Sequence, residues 1–320
     1  MTYVLAVAFT LVLWWVGTIA ILFLDRLPAR THAWSMAAAT GLMIVALYWF
    51  SRSSGDMTAS GAAIAFACAI VIWGWQLLSF YTGYISGPRK HACEPGLTGW
   101  QRFAEGVRTS LYHELVVIAC GVLLVAITWN EPNQIGTWTY LALYWMHQSA
   151  KLNLFLGARN LGEALLPPQL AYLATFMRRR PMNLLFPVSV TVSTIITILL
   201  AQRAVAPEAS AFEAAGYTML ATIMALAVLE HWLLVVPLPV DALWQWGLGS
   251  KTGEAGGARQ APNRSLRLQS QPVDDFASDY EQPPMRQTYR TKTEIIPASS
   301  KPILDRHIKA LRTSRQGGAV

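Results

Sequence analysis

The sequence predicts an all-α, polytopic helical membrane bundle, and three observations predict it. Seven stretches are apolar over lengths near the roughly 20 residues needed to cross about 30 Å of hydrocarbon at 1.5 Å per residue. None shows the period-2 alternation of barrel strands, and only helices or closed barrels satisfy backbone N–H and C=O groups inside lipid. Lysines and arginines fall almost entirely on alternate connections, the asymmetry that orients membrane proteins. Composition agrees: 53% of the 320 residues are hydrophobic and 13% charged, against about a quarter charged in soluble chains.

The first segment, Tyr3 to Leu24, has no basic residue before it and is followed by Asp25, Arg26 and Arg30. It is expected to be a retained helix inserted with its N-terminus outward, not a cleaved signal. The next segments are Trp34 to Phe50, Ala59 to Ile85, Ser110 to Trp129, Ile135 to Phe155, Met182 to Ala201 and Gly216 to Val236. Aromatic residues cluster at their ends, as at Trp34, Tyr48, Trp49, Trp129, Trp138, Trp244 and Trp246, the depth preferred by rings with a polar edge. Small residues at Ala37, Ala38, Thr40 and Gly41, and at Ser60, Gly61 and Ala63, are expected to let helices approach closely.

One set of connections holds Arg26 and Arg30, then Arg89, Lys90, Arg102 and Arg108, then Arg159 and Arg178 to Arg180, and the tail after Trp246 adds twelve more basic residues. The other set holds only Arg52 and Arg203. With seven spans this places the N-terminus outside and the tail in the cytoplasm. Residues 1–247 are thus expected to form the transmembrane domain. Within it, Pro167-Pro168, an apolar stripe at Leu170, Leu173, Phe176 and Met177, and Arg178-Arg179-Arg180 predict a short interfacial helix near 167–180 whose cations face anionic lipid. Residues 248–320 are rich in Gly, Ser, Pro, Gln and Arg, too polar to bury a core, and are expected to be a basic, disordered cytoplasmic tail. Near its end Ile303, Leu304, Ile308 and Leu311 share one side of a short helix.

The net charge of +7 points to lipid headgroups and not to nucleic acid, because the basic residues lie beside spans or in the tail. Cys68 and Cys120 sit inside spans and Cys93 in a connection, with no CxxC, so neither a disulfide framework nor a thiolate metal site is indicated.

Ionisable residues inside a bilayer are costly and mark functional candidates. The candidates are His113 and Glu114 in the fourth span, His147 and Lys151 in the fifth, and Glu230 and His231 in the seventh, with Asn153 close by. All fall in the cytoplasmic half of their spans. His147 and Lys151 share a helix face, whereas Glu230 and His231 lie about 100° apart, as do His113 and Glu114, so one of each pair is expected to face the cluster. Four readings stay open. Lys151 pairs with Glu114 or Glu230 and fixes helix register; the cluster relays protons or solute; it holds a catalytic metal; or a neutral His147, beside Tyr144 and Trp145, ligates a ring metal in an apolar slot. Lys151 occupies the i+4 position after His147, where a second ligand would stand in a metal-binding pair, so no metal and no catalytic residue are assigned. Inverted repeats, a P-loop, a GxGxxG before a helix and a Ser/His/Asp set are not found.

Several runs combine polar residues at fixed places in apolar helices: YHELVVIA at Tyr112 to Ala119, WNEPNQIGTWT at Trp129 to Thr139, and WMHQSAKLNLFLGARNL at Trp145 to Leu161. LPPQLAYL at Leu166 to Leu173 and RRRPMNLLFPVSVT at Arg178 to Thr191 follow. Together they resemble the PuhE-type photosynthetic complex assembly proteins (assembly protein 2 family) of purple phototrophic bacteria. The resemblance is strong over the central third and general elsewhere. It implies an inner-membrane factor for building reaction-centre and light-harvesting complexes, with an effect on bacteriochlorophyll supply. The implied partners are complex subunits or bacteriochlorophyll-synthesis enzymes, with transient contact to bacteriochlorophyll or a precursor, and the implied role is a scaffold rather than an enzyme. The runner-up is a membrane enzyme acting on a tetrapyrrole or lipid through Glu114, His147 and His231. No catalytic residue carries over from that family.

Overall fold

The computed structural model describes residues 3–163 and 166–237. The order is α1 (Tyr3–Leu24), a 3-10 turn (Ala29–Thr31), α2 (His32–Ser53), α3 (Ala59–Tyr81), α4 (Gly99–Arg108), α5 (Leu111–Ile127), α6 (Ile135–Leu156), a 3-10 helix (Pro168–Phe176), α7 (Leu185–Ala204) and α8 (Ala211–Leu233). Among the described residues there is no strand, only an isolated bridge between Ala158 and Arg179. The expected tail, 248–320, lies outside the described residues.

Helix starts follow their capping chemistry. Thr58 Oγ1 accepts from Gly61 N at 3.0 Å at the start of α3, and Ser210 with Glu213 forms a reciprocal capping box on α8, each satisfying amides that have no partner inside the helix. Pro187 lies in the first turn of α7, where its missing N–H costs no hydrogen bond.

Among the described residues, five helical segments are long and apolar enough to cross a membrane: α1, Ala29–Ser53, α3, α7 and α8. Taken together, α4 and α5 make a sixth candidate, bent by 66° at their junction. The remaining helix, α6, is 22 residues long, but Thr137, Thr139, Gln148, Ser149, Lys151 and Asn153 dilute its apolar character. The polar residues that make α6 a weak span are those that build the site.

Burial separates inner helices from outer ones. More than half of α3 and of α8 is buried, against under a quarter of α1, α2 and α7. Those outer helices expose Val12, Val16, Ile44, Val45, Ile195 and Ile198, apolar surface of the kind that lipid covers. One core cluster joins Phe50, Ile72, Trp73, Val117, Leu124 and Tyr140. A second joins Ala6, Ala62, Phe66, Ile135, Phe212 and Met219, so the N-terminal ends of α1, α3, α6 and α8 meet at one end. Gly216 permits this approach: a Cβ there would stand 2.5 Å from Ile135 Cδ1. Of the two small-residue stripes, Gly61 is buried, whereas Ala37, Ala38 and Gly41 face outward and only Thr40 is engaged, accepting from Trp75 Nε1 at 2.9 Å.

Polar side chains tie the connections at each end. At the first end, Asn133 Nδ2 donates to Ser53 O (2.9 Å) and Asp56 O (3.1 Å), joining the α5–α6 and α2–α3 connections. At the other, Gln169 Nε2 donates to Tyr81 O, and Asn160 Nδ2 donates to Leu233 O and Val236 O at 2.7 and 2.8 Å. Arg102 donates to the carbonyls of Thr175, Phe176 and Met177. The connections carrying Arg89, Arg102, Arg159 and Arg178 close at this second end.

The segment expected as an interfacial helix differs in form. It is a 3-10 helix ending at Phe176, because Leu170, Leu173 and Phe176 recur every three residues, the period that aligns side chains on a 3-10 helix. Arg178 and Arg180 are extended instead. Arg178 N donates to Leu154 O, Ala158 N to Arg178 O and Arg180 N to Ala158 O, so backbone pairing with the end of α6 holds the basic run. Gly157, at φ 134°, makes that turn beside the Arg180 side chain.

Candidate functional site: two polar clusters on α6

Residues 147, 148 and 151 of α6 face α5 and α3, whereas 149 and 153, about 200° round the helix from 147 and 151, face α7 and α8. The sequence expectation of one shared cluster is thereby divided into two.

On the second face every polar group is matched. His231 is buried; its Nδ1 lies 2.8 Å from Ala227 O and its Nε2 2.9 Å from Ser149 Oγ. The carbonyl can only accept, so Nδ1 carries a proton, and Nε2 shares a hydrogen bond with the Ser149 hydroxyl: both ring nitrogens are used. Asn153 Nδ2 donates to Ser149 O (2.9 Å) and Ser189 Oγ (3.1 Å). Asn183 Nδ2 donates to Asn153 Oδ1 (3.0 Å) and Gly157 O (2.8 Å), and its Oδ1 accepts from Leu185 N and Phe186 N at the start of α7. Glu230 is exposed on α8 and pairs with no cation among the described residues. Of the adjacent pair Glu230/His231, only the histidine turns inward.

On the first face, Lys151 pairs with Glu114 and also donates to Ser110 Oγ at 2.9 Å, while Gln148 Nε2 donates to the other carboxylate oxygen. Lysine therefore chooses Glu114 of the two carboxylates the sequence offered. His113, on the preceding residue, is 1% exposed and packs on Phe80 with ring centroids 4.7 Å apart. His147 lies edge-on to Trp73 (5.5 Å) and to His113 (6.1 Å). Neither nitrogen of His113 has a hydrogen-bond partner among the described residues. One donor atom each from His113, Glu114 and His147 all lie within 4.8 Å of one another, so among the described residues this trio has the geometry to hold a metal. Both members of the His113/Glu114 pair enter this cluster, contrary to the expectation of one. The rings against His147 are Trp73 and His113, whereas Trp145 is exposed.

Ser110, Gln148, Ser149, Asn183 and Ser189 were not among the sequence candidates. Gln148 and Ser149 directly follow His147, and Asn183 stands in the RRRPMN run, so the signal was polar content within apolar helices. Another missed group is deeper: Tyr140 Oη donates to Val117 O (2.7 Å) and accepts from Gln76 Nε2 (2.6 Å), closing the floor beneath Trp73. Outside the spans, the Asp25 carboxylate is buried without a hydrogen-bond partner among the described residues, and burial pushes its carboxyl up to about 6 against the opposing charges of Arg26 and His32.

The family described as Protein of unknown function (DUF3623) matches residues 1–255. The chain belongs to the DUF3623 family. It is 38% identical over 245 residues, 75% of this chain and 89% of the relative, to a Rhodobacter capsulatus protein described as an uncharacterized 30.4 kDa protein in the puhA 5' region. No solved structure matches. Both clusters on α6 lie inside the DUF3623 match, as do all helices described above.

Proposed function

We propose that this DUF3623 protein is an inner-membrane factor for assembly of bacteriochlorophyll-containing photosynthetic complexes, acting on pigment supply or delivery as a scaffold. The observation that carries the reading is the 38% identical relative in the puhA 5' region, whose location agrees with the PuhE-type family that the central motifs resemble. The fate of those motifs supports a scaffold: Asn133, Asn160 and Asn183 serve as joints between helix ends. In this reading α6 completes a seventh span, the N-terminus is periplasmic, and the end that gathers Arg89, Arg102, Arg159 and Arg178 is cytoplasmic and meets anionic lipid. Complex subunits or pigment-synthesis enzymes are its partners, and bacteriochlorophyll or a precursor its transient ligand.

A second reading, an integral-membrane enzyme acting on a tetrapyrrole or lipid, is favoured by the convergence of His113, Glu114 and His147. One preparation separates the two. The protein purified from a phototrophic host should bring complex subunits or pigment with it; turnover of a tetrapyrrole or lipid by the isolated chain, with neither retained, would overturn the scaffold reading. Reporter fusions after Gly55 and Gln202 should score periplasmic and one after Gly249 cytoplasmic; a cytoplasmic signal at Gln202 would break the seven-span topology.

A further inference from the structure

We propose that His113, Glu114 and His147 form a binding site for one divalent first-row transition-metal ion of the Zn(II) or Fe(II) class. The site stands independently of the assembly reading.

Two observations converge on it. The first is the donor set: two imidazoles and a carboxylate, from α5 and α6, with one donor atom of each within 4.8 Å of the others. Around an ion with bonds of about 2.0–2.2 Å, tetrahedral ligand atoms stand about 3.3 Å apart. The three donors, all within 4.8 Å of one another on the neighbouring helices α5 and α6, stand close to that spacing. The second is the buried state of His113. Buried polar side chains are almost always hydrogen-bonded, yet at 1% exposure this ring has neither nitrogen engaged among the described residues. A neutral imidazole offers one lone pair, and a metal ion satisfies it in an apolar wall that supplies no donor.

The surroundings fit a ligand set held from outside. Lys151 and Gln148 bind the two oxygens of Glu114, and a carboxylate has about four lone-pair sites, so acceptor capacity remains for an ion. Partners that orient a ligating carboxylate are a regular part of metal sites. The Lys151 ammonium opposes the ion's charge and sets an upper limit on affinity; it also marks the partly exposed side from which an ion enters. Phe80 and Trp73 close the other side. Two imidazoles select against Mg(II) and Ca(II), which take oxygen ligands.

The test uses the full-length protein in detergent, stripped with a chelator and titrated with Co(II) as a spectroscopic stand-in for Zn(II). The expected result is one saturable Co(II) per chain, with d–d absorption that Zn(II) abolishes. His113→Ala and His147→Ala should each weaken binding by at least about tenfold and Glu114→Gln by less, whereas Lys151→Met should tighten it. His91→Ala, at an exposed imidazole outside the helices that carry the three donors, should change nothing. Zn-edge X-ray absorption of the unaltered protein counts the imidazoles directly, so the proposal stays testable where a variant fails to fold. Two imidazoles support it; fewer than two overturn it. Absence of saturable binding, binding retained in both histidine variants, or loss in His91→Ala overturns it as well, as does a His147-ligated tetrapyrrole that excludes the ion.

Discussion

The two faces of α6 carry similar chemistry and use it differently. Toward α7 and α8, His231, Ser149, Asn153, Ser189 and Asn183 use their hydrogen-bonding groups on one another and on helix ends. Toward α3 and α5, Lys151 and Gln148 each engage one oxygen of Glu114, but His113 is buried with both nitrogens unmatched among the described residues. A matched network fixes where helices sit; an unmatched buried imidazole costs stability without fixing anything. The difference separates a packing face from the face on which the metal site is proposed.

The largest effect should come from the matched face. Asn183→Ala removes partners from Asn153, Gly157 and the first amides of α7 at once, and each buried group left unpaired costs about 1–3 kcal/mol. Membrane abundance by immunoblot should fall severely; normal abundance would remove the structural distinction between the faces.

Lys151→Met should have a smaller effect, about 1–2 kcal/mol, below the 3–5 typical of a fully buried pair, because the lysine is partly exposed. Adding Glu114→Gln should restore abundance, since no charge is then left without its partner. A double variant less abundant than Lys151→Met would show that Glu114 is held by something other than this ion pair.

The smallest effect is pH-dependent and sharpens the same rule at a third place. Asp25 is buried and unmatched, with its carboxyl raised to about 6 from 3.8. The charged form is the disfavoured one in the folded state, so the cost is absent below the unfolded value, grows as pH rises between the two values, and is complete above about 6. Asp25→Asn should therefore raise the thermal midpoint at pH 7–8, and the gain should fade toward pH 4. A gain independent of pH would assign it to packing instead of charge.

Much of this was legible in the sequence. Apolar length gave the helices, and the ionisable residues inside them gave the candidates, because a charge in an apolar run is conspicuous whatever it does. Helix periodicity placed His147 and Lys151 together and separated Glu230 from His231. It did not say which of two carboxylates Lys151 would take, since that depends on the rotation of α5 and α8 against α6. Nor did it say that Asn153 faces away from His147, although the six-residue spacing, about 600° or 240° net, contained that information. The 3-10 form of Pro168–Phe176 is not legible because tertiary partners decide it: Arg102 holds the carbonyls at the end of the 3-10 helix, and pairing with Ala158 draws Arg178 and Arg180 out straight. Asn133, Asn160 and Asn183 were legible as motif members, but not as joints, since each bonds to backbone brought near only by the fold.

The most direct test compares His113→Phe with His231→Phe in a phototrophic host lacking its own copy, reading protein abundance by immunoblot against absorption of assembled photosynthetic complexes. Phenylalanine keeps ring volume and removes the nitrogens. His113→Phe should retain normal abundance while complex absorption falls, and His231→Phe should lose protein and absorption together. Normal absorption in a normally abundant His113→Phe strain would contradict the use of that face of α6 in complex assembly.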